Sequence, residues 1–389
     1  MPVQTIPSIE LASAARRIDS SAIRDLLHVI DRADVISLAG GLPASETFPT
    51  DALAAAVTAV LARDPLALQY STTEGYGPLR SWIGGREGVD SERVLITHGS
   101  QQGLDLVARA LVEPGAAVAL ADPGYVGAIQ ALRLAGARLE PVPSDADGLA
   151  VDVLADRLAD GLRPTLVYVV ANFDNPTGAT LSLERRAALG ALADQYGFVI
   201  VEDDPYGELR WAGDALPRLS TFTDRVVTLG TVSKVVCPGL RLGHLIAPAP
   251  LARALVLVKQ AVDLHTSTLS QRAVYEVVSA PGFMPAQLDR LVPLYRDRCA
   301  ALIGALHDEL GDGFAFHPPA GGMFVWGELV DGRDTQALLP AALAEGVAFV
   351  PGRAFAIDRG HHNAMRLSFA TVEPAQLSEG VRRLARASR

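Results

Sequence analysis

The sequence predicts an α/β fold built on a mostly parallel β-sheet that is flanked by helices. Two observations support this prediction. Between about residues 92 and 245, short apolar runs alternate with helical patterns, which is typical of βαβ units. Polar and aromatic residues follow several of these runs where a strand would end, and open sheets of this kind bind ligands along that edge. No internal repeat or low-complexity tract interrupts the pattern.

Length, composition and charge narrow the classes of protein to be considered. At 389 residues the chain is long enough for a large domain and a smaller one. No window of about 18 residues is uniformly apolar and the first residues lack a signal-peptide pattern, so we expect neither a membrane span nor a signal peptide. The two cysteines, Cys237 and Cys299, suit a reducing cytoplasm. The net charge of −10 is spread along the chain, which disfavours a nucleic-acid partner.

The first part of the chain contributes two candidate ligand contacts. Residues 1–20 have a mixed polar pattern that predicts an arm with little regular structure. Ser20–Ile30 predicts a capped amphipathic helix, and Arg24 lies off its apolar face, where a solvated charge is the simple interpretation. Val35–Leu38 predicts a strand that enters a Gly-Gly turn, where Gly40 permits a close approach of the backbone to a ligand.

The next two predicted strands each lead into a candidate contact. Val94–Thr97 runs into the sequence G-S-Q-Q-G at residues 99–103, which begins a helix. Backbone N–H groups at such a helix N-terminus, together with the serine hydroxyl, suit a phosphate group. His98 has no evident partner in the sequence and is interpreted as structural. Ala117–Ala121 predicts the following strand, and Tyr125 comes after it in D-P-G-Y, in position to face a cleft.

Two further strands end beside polar residues. Val167–Val170 leads to N-P-T-G, in which Asn175 can hydrogen-bond a ligand and the proline presets the turn. Phe198–Val201 leads to a run of acids. An acid that follows a buried strand so closely is not typical of a solvated surface, so Asp203 is a candidate buried carboxylate, whereas Asp204 is interpreted as a turn residue.

A single lysine, Lys234, follows the buried strand Arg225–Leu229. A lysine among apolar residues is partly desolvated, which disfavours its charged form. The neutral amine is a nucleophile that can form a Schiff base with an aldehyde. A surface lysine in a loop is the alternative for any lysine taken alone. The side chains around it suit a phosphate, namely Thr231, Ser233 and Arg241. Lysine and phosphate site together favour pyridoxal phosphate as cofactor.

Arg366 lies in the apolar strand Met365–Ala370. Burial of an unpaired guanidinium is costly, so this arginine needs an anion. His361 and His362 lie nearby in the sequence but lack a third ligand at a suitable spacing, so they are interpreted as loop residues and no metal site is predicted.

The run S-K-x-x-x-P-G-L-R-L-G at residues 233–243 resembles the Schiff-base segment of fold-type I pyridoxal-phosphate-dependent aminotransferases of class I and II. Four more segments occur in that family's order: Y-x-x-x-x-G, G-S-Q-Q-G, N-P-T-G and D-x-x-Y. The resemblance covers nearly the whole chain and is strongest to the branch of 2-aminoadipate and aromatic amino-acid aminotransferases. It implies a seven-stranded, mostly parallel sheet and three parts: an arm with a small-domain segment at 1–49, a large cofactor-binding domain at 50–280, and a small α+β domain at 281–389.

The resemblance also implies roles for the candidate residues. Lys234, with Asp203 and Tyr206, would be catalytic: the lysine holds the cofactor and moves the substrate proton, the carboxylate keeps the pyridine nitrogen protonated, and the phenol tunes the ring oxygen. The implied cofactor contacts are Ser100, Gln101, Tyr125, Asn175, Asp203, Tyr206, Thr231, Ser233, Lys234, Arg241 and Tyr70. Tyr70 would act in the neighbouring subunit, which implies a homodimer with its site at the subunit interface. The implied substrate contacts are Arg366 for the α-carboxylate, Asn175, Gly40 and, for an acidic side chain, Arg24.

The predicted reaction is transfer of the amino group of an L-amino acid to a 2-oxo acid by a ping-pong mechanism. Acidic substrates such as 2-aminoadipate or glutamate, aromatic substrates and branched-chain substrates all remain open. A different pyridoxal-phosphate reaction in a biosynthetic pathway, such as elimination, decarboxylation or cyclisation, is the first alternative. A non-catalytic sensor of the kind found in transcription regulators is the second, and the lack of a DNA-binding helix-turn-helix segment disfavours it.

Overall fold

The structure is a computed structural model that describes residues 10–18 and 34–389. The predicted helix Ser20–Ile30, with its candidate Arg24, lies outside the described residues.

Helices and strands are numbered here in chain order within the described residues. The α-helices are α1 Thr50–Arg63, α2 Gly77–Glu87, α3 Gly99–Leu111, α4 Val126–Ala135, α5 Val151–Ala159, α6 Leu183–Tyr196, α7 Ala249–Asp263, α8 Thr268–Val278, α9 Phe283–Leu310, α10 Thr335–Ala344 and α11 Pro374–Ala387. The strands are β1 Ile36–Ser37, β2 Val94–Thr97, β3 Ala117–Asp122, β4 Arg138–Asp145, β5 Gly148–Leu149, β6 Leu166–Val170, β7 Val199–Asp203, β8 Val226–Thr231, β9 Gly243–Ile246, β10 Phe314–Phe316, β11 Phe324–Leu329, β12 Val347–Ala348, β13 Val350–Pro351 and β14 Ala364–Ser368.

The large sheet has eight strands in the order β2-β9-β8-β7-β6-β3-β4-β5. The four central strands β8, β7, β6 and β3 are parallel, β9 is antiparallel to both of its neighbours, and β5 is antiparallel to β4. The expected mostly parallel α/β sheet is therefore present. The expected number of seven strands is exceeded by the two-residue β5 at the edge, which is too short to leave an apolar pattern in the sequence.

Helices cover both faces of this sheet because its central strands are apolar on both sides. In β7, Val201 enters one apolar cluster together with Leu104 of α3, whereas Ile200 enters a second cluster together with Leu189 of α6. Because both faces of β7 are buried, its sequence begins as a continuous apolar run. Every parallel strand then ends at one edge of the sheet, and the polar residues that follow β3, β6, β7 and β8 are brought to that edge.

A second sheet, of four antiparallel strands in the order β10-β11-β14-β13, lies in the C-terminal part of the chain. Its strand β14 carries Arg366, which pairs with Trp326 of β11 and Val350 of β13. Helix α9 packs against α11 beside it, and the separate pair β1 and β12 joins the N-terminal segment to this region.

The domain limits after residues 49 and 280 stay a prediction. No helix in residues 10–18 and 34–389 is long and apolar enough to cross a membrane.

Candidate active site

A cavity of about 620 Å³ opens at the carboxyl edge of the large sheet, where the small sheet faces it. The chain brings together in its wall twelve of the fourteen residues expected from the sequence: Gly40, Ser100, Gln101, Tyr125, Asn175, Asp203, Tyr206, Thr231, Ser233, Lys234, Arg241 and Arg366. We call this cavity the cleft. The remaining two are Tyr70, which lies elsewhere on the surface, and Arg24, which is outside the described residues.

Lys234 lies in the turn after β8, and its Nζ donates a hydrogen bond to the backbone oxygen of Gly41 at 2.9 Å. No carboxylate among the described residues forms an ion pair with this amine. Desolvation, followed by the positive charges of Arg366 and Arg241, lowers the pKa of Lys234 from 10.5 to about 8. A substantial fraction of the amine is therefore neutral, and nucleophilic, close to physiological pH.

Asp203, at the end of β7, has a buried carboxylate in which one oxygen accepts a hydrogen bond and the other does not. Its Oδ2 accepts a hydrogen bond from the hydroxyl of Tyr168 at 2.8 Å, whereas its buried Oδ1 has no partner among the described residues. Burial raises the pKa of Asp203 to about 7, and the nearby acids Asp204 and Asp174 act in the same direction, against the hydrogen bond from Tyr168. A buried carboxylate oxygen without a partner suits a cationic N–H donor such as a protonated pyridine nitrogen.

Arg366 is 2% exposed and lies in the wall opposite the large sheet. Its Nη1 donates to Asn175 Oδ1 at 2.8 Å and its Nη2 donates to the backbone oxygen of Ala39 at 2.6 Å, while its Nε has no partner among the described residues. The guanidinium stacks over the rings of Phe324 and Phe355. Burial lowers its pKa to about 10. Arg366 is thus a buried cation without an ion-pair partner in the described chain, and it favours binding of an anion.

Tyr125 is held in the wall by Gln101. The Tyr125 hydroxyl donates to Gln101 Oε1 at 3.3 Å, and Gln101 Nε2 donates to the backbone oxygen of Gly127 at 2.9 Å. A Cβ atom at Gly127 would lie 2.5 Å from Gln101 Oε1 and 2.6 Å from Tyr125 Cζ, so any side chain at this position would clash with both groups. Because the Gln101 side chain is already engaged, its contribution to a phosphate site would come from its backbone N–H.

One end of the cleft lies where the N-terminus of α3 meets Arg241, and we call it the phosphate end after the group that the sequence predicts there. Gly99 has a φ of +75°, and a Cβ there would lie 2.8 Å from Arg241 Nη2, so glycine allows the guanidinium to touch the helix N-terminus. Nearby, Thr231 Oγ1 donates to Ser233 Oγ at 2.8 Å. Helix N–H groups, two hydroxyls and a guanidinium thus converge as the sequence predicts, a donor set that suits a phosphate.

The structure also gives the partners of Asp204 and His98, which the sequence places beside the candidate site. Asp204 Oδ1 accepts a hydrogen bond from the backbone N–H of Gly207 at 2.9 Å, so it is a turn residue as expected. His98 does have a partner, Asp263, at 2.9 Å, which the sequence does not reveal because the two are 165 residues apart.

The sequence also gave no signal for Tyr168 or for the carbonyl groups of Ala39 and Gly41, since a strand tyrosine and backbone atoms carry no pattern. Within the described residues no group of three His, Cys, Asp or Glu side chains is placed to hold a metal ion.

Fold and site together define a class of protein. A desolvated lysine, a buried carboxylate with one unpaired oxygen, a tyrosine in the cleft wall and a set of donors that suits a phosphate lie together at the edge of a mostly parallel sheet. These are the parts that a fold-type I pyridoxal-phosphate enzyme needs. Two features fit this cofactor. The free Asp203 Oδ1 suits its ring nitrogen, and the close approach of Arg241 to Gly99 suits its phosphate.

Comparison with known proteins identifies the family. The sequence model of "Aminotransferase class I and II" matches residues 33–384. The chain is 40% identical to "Aromatic-amino-acid aminotransferase 1" of Thermococcus litoralis, covering 94% of this chain and 91% of the relative. It is 42% identical to "2-aminoadipate transaminase" of Thermus thermophilus, covering 96% of this chain and 95% of the relative.

A solved structure agrees with the sequence comparison. The α-aminoadipate aminotransferase LysN of Thermus thermophilus, complexed with N-(5'-phosphopyridoxyl)-L-leucine, superposes with a TM-score of 0.91 at 42% identity, covering 97% of this chain and 96% of that one. The chain belongs to the class I and II aminotransferase family, and it is a pyridoxal-phosphate-dependent aminotransferase.

Proposed function

We propose that this aminotransferase transfers the amino group of L-amino acids with aromatic or acidic side chains to 2-oxo acids in two half-reactions within the cleft. One observation carries the proposal: besides Arg241 at the phosphate end, the cleft holds three ionic groups that lack a charged partner in the described chain. These are the amine of Lys234, the Oδ1 of Asp203 and the guanidinium of Arg366. They match the aldehyde, the pyridine nitrogen and the substrate carboxylate of an aminotransferase.

Asp203, Tyr206, Asn175 and Tyr125 would hold the cofactor ring. When bound, pyridoxal phosphate supplies an aldehyde that condenses with amines and a ring that accepts electrons from the substrate's α-carbon. Asp203 would retain the proton on the ring nitrogen through its free oxygen. Tyr206 is 5% exposed, and burial raises its pKa well above 10, so its hydroxyl stays a hydrogen-bond donor.

Lys234 would then act as the general base. With a pKa near 8, its Nζ can release and take up a proton near neutrality, which is the condition for efficient proton transfer. The carbonyl of Gly41 orients the amine in the cofactor-free chain. Arg366 would bind the α-carboxylate and so fix the direction of the substrate's remaining bonds.

The substrate class follows from the cleft wall and from the relatives. Leu42, Val126 and Gln130 line the cleft and carry no charge, and Leu42 is 57% exposed, so this part suits an aromatic or aliphatic side chain. The two relatives named above act on aromatic amino acids and on 2-aminoadipate by their names. We propose that an acidic side chain is accepted with the help of Arg24.

The predicted homodimer is part of the proposal. Leu66, Leu68 and Tyr70 are 63%, 73% and 79% exposed, and Tyr70 meets His265 edge-on with ring centroids 5.8 Å apart. Exposed apolar groups on neighbouring segments are typical of a subunit interface. In such a dimer, Tyr70 would reach the partner's phosphate end. Light scattering during gel filtration tests this association, and a monomer at micromolar concentration would contradict it. The cytoplasmic location stays a prediction.

The experiment that tests the function is a half-reaction screen. The chain loaded with pyridoxal phosphate is mixed with one amino acid at a time, without an oxo acid, and the visible absorbance is followed. We expect phenylalanine, tyrosine and 2-aminoadipate to convert the cofactor to its amine form with stoichiometric oxo-acid release. Release of ammonia or carbon dioxide without that conversion would instead favour the lyase or decarboxylase alternative.

The variant Arg24→Ala separates side-chain recognition from catalysis in the same screen. Acidic donors should lose kcat/KM, whereas aromatic donors should keep it. An equal loss for both kinds of donor would contradict a role for Arg24 in side-chain recognition.

A further inference from the structure

A polar cluster around one buried lysine lies at the N-terminal end of α3, next to the phosphate end of the cleft. It consists of Lys259 and Asp263 on α7 and of His98 and Gln102 at the start of α3, and we call it the clamp. Lys259 Nζ donates to both carboxylate oxygens of Asp263, at 2.7 and 2.8 Å, and to Gln102 Oε1 at 3.1 Å. The carboxylate accepts two more hydrogen bonds on Oδ2, from Gln102 Nε2 at 2.7 Å and from the His98 ring at 2.9 Å.

Lys259 is an unusual residue to find in this place. The sequence contains 34 lysines and arginines, of which lysine accounts for two, Lys234 and Lys259. The side chain of Lys259 is fully buried, and that burial lowers its pKa, whereas the hydrogen bond that Lys259 donates to Asp263 raises it. A buried ammonium is costly unless an acid neutralises it, so Lys259 and Asp263 depend on each other.

The clamp contacts the turn that leads into α3, and Arg241 contacts the same turn. Gln102 Oε1 also accepts the backbone N–H of His98 at 2.8 Å, so both the ring and the backbone of His98 are tied to the clamp. The backbone oxygen of His98 in turn accepts a hydrogen bond from Arg241 Nη2 at 3.4 Å. The next residue, Gly99, is the one that touches this guanidinium. The clamp therefore fixes the turn from one side while Arg241 contacts it from the other.

From this arrangement we infer that Lys259 and Asp263, acting through His98 and Gln102, are positioning residues for the phosphate group of the cofactor. They set the direction of the N–H groups at the start of α3 and the place of Arg241 before the cofactor binds. The inference rests on the proposed function in one respect, namely that the phosphate lies at the Gly99–Arg241 end of the cleft. The clamp itself touches neither the cofactor ring nor the substrate.

This role makes a selective prediction, because only the phosphate depends on the cradle. The full-length chain is titrated with pyridoxal 5'-phosphate and, separately, with pyridoxal, which has the same aldehyde and ring but no phosphate. Visible absorbance reports binding. For Asp263→Asn we expect the Kd of pyridoxal 5'-phosphate to rise roughly tenfold, the cost of one misplaced charge-assisted hydrogen bond, with the Kd of pyridoxal unchanged.

Three further variants make the test robust. Should Asp263→Asn fail to fold, Lys259→Met/Asp263→Leu removes both charges together and leaves no unpaired buried ion. His98→Ala keeps the buried pair and should show a smaller effect in the same direction. Asp145→Asn is the matched control, because that carboxylate pairs with Arg185 away from the cleft, and both ligands should bind it as they bind the unmodified chain.

The outcomes separate the inference from the proposed function. A parallel loss for both ligands in the clamp variants would mean that the clamp supports the fold at large, and no loss for either would mean that α3 and Arg241 suffice; both results overturn the inference while the cofactor site stands. Equal affinity of the unmodified chain for pyridoxal and its phosphate would overturn the phosphate site and the inference together.

Discussion

Arg366 Nη1 and Asn175 Oδ1 lie 2.8 Å apart and join the two sheets across the cleft, although 191 residues separate them in the chain. Arg366 belongs to the middle of β14 in the small sheet, and Asn175 follows β6 in the large sheet. The contact places a buried cation beside the amide that is proposed to face the cofactor ring, so that substrate carboxylate and cofactor would be held by neighbouring groups.

Replacement of Arg366 by glutamine should remove the proposed carboxylate contact and spare the cofactor. We expect kcat/KM for amino acids to fall by roughly 10² to 10³-fold, since loss of one partner from a buried ion pair costs about 2–5 kcal/mol. Steady-state kinetics with amino and oxo acids measure the effect, and Arg353→Gln, at an exposed arginine paired with Asp334, is the control. An undiminished kcat/KM for amino acids would remove Arg366 from substrate binding.

Lys234→Ala should abolish the covalent attachment of pyridoxal phosphate. Because the chain has two lysines, borohydride reduction followed by peptide mass spectrometry distinguishes them without ambiguity. The unmodified chain should carry the adduct on Lys234 alone, and the variant should carry none. The variant Asp145→Asn serves as the control, since it retains the reactive amine and the carboxylate that it removes pairs with Arg185 away from the cleft. An adduct on Lys259 in the Lys234→Ala chain would show that the attachment site was assigned wrongly.

The rate of that attachment should depend on pH through Lys234. Its pKa of about 8 places half of the amine in the neutral, nucleophilic form near that pH. For the cofactor-free chain mixed with pyridoxal 5'-phosphate, we expect the rate of absorbance change to rise between about pH 6 and pH 9, with a midpoint near 8. A midpoint above about pH 10, the value of an ordinary lysine, would contradict the effect of desolvation.

Asp203 should make the stability of the cofactor-free chain depend on pH. Its folded-state pKa of about 7 lies above the value of about 3.9 in an unfolded chain, so the folded state binds the extra proton. The stabilising contribution is complete below about pH 4 and is lost as the pH rises through about 7. Chemical denaturation of Asp203→Asn should show a slope shallower by roughly 1.4 kcal/mol per pH unit within that window. A residual slope is expected, because burial also raises the pKa of Asp174 and of Glu202 to about 7. If both chains have the same slope, Asp203 is ionised in the folded state.

Gly127→Ala should displace the ring of Tyr125. The added methyl group would lie 2.5 Å from Gln101 Oε1 and 2.6 Å from Tyr125 Cζ, so one of them must move. We expect weaker cofactor binding, by roughly tenfold for the loss of a well-placed aromatic contact. Equilibrium titration measures this, and Gly85→Ala in α2 is the matched control because its added methyl group meets nothing within 4 Å. Unchanged affinity would mean that ring stacking by Tyr125 contributes little.

Much of the fold could be predicted because it is written in local patterns. Apolar runs of four to six residues define β2, β3, β6, β7 and β8. The strand β5 was missed because two residues have no periodicity. The antiparallel direction of β9 is likewise a property of its neighbours β2 and β8 and not of its own sequence.

The candidate site divides in the same way. The identities of Lys234, Asp203, Asn175 and Arg241 could be read from the sequence, because short motifs at strand ends are local and the strands of a parallel sheet deliver them to one edge. Which atoms they meet was decided by tertiary structure. The hydrogen bond from Tyr168 to Asp203, the carbonyl of Gly41 at Lys234, and the clamp between α3 and α7 each join residues 35 or more positions apart. Such contacts depend on how the crossover connections bring distant segments together. The spacing of residues within one segment does not encode that arrangement.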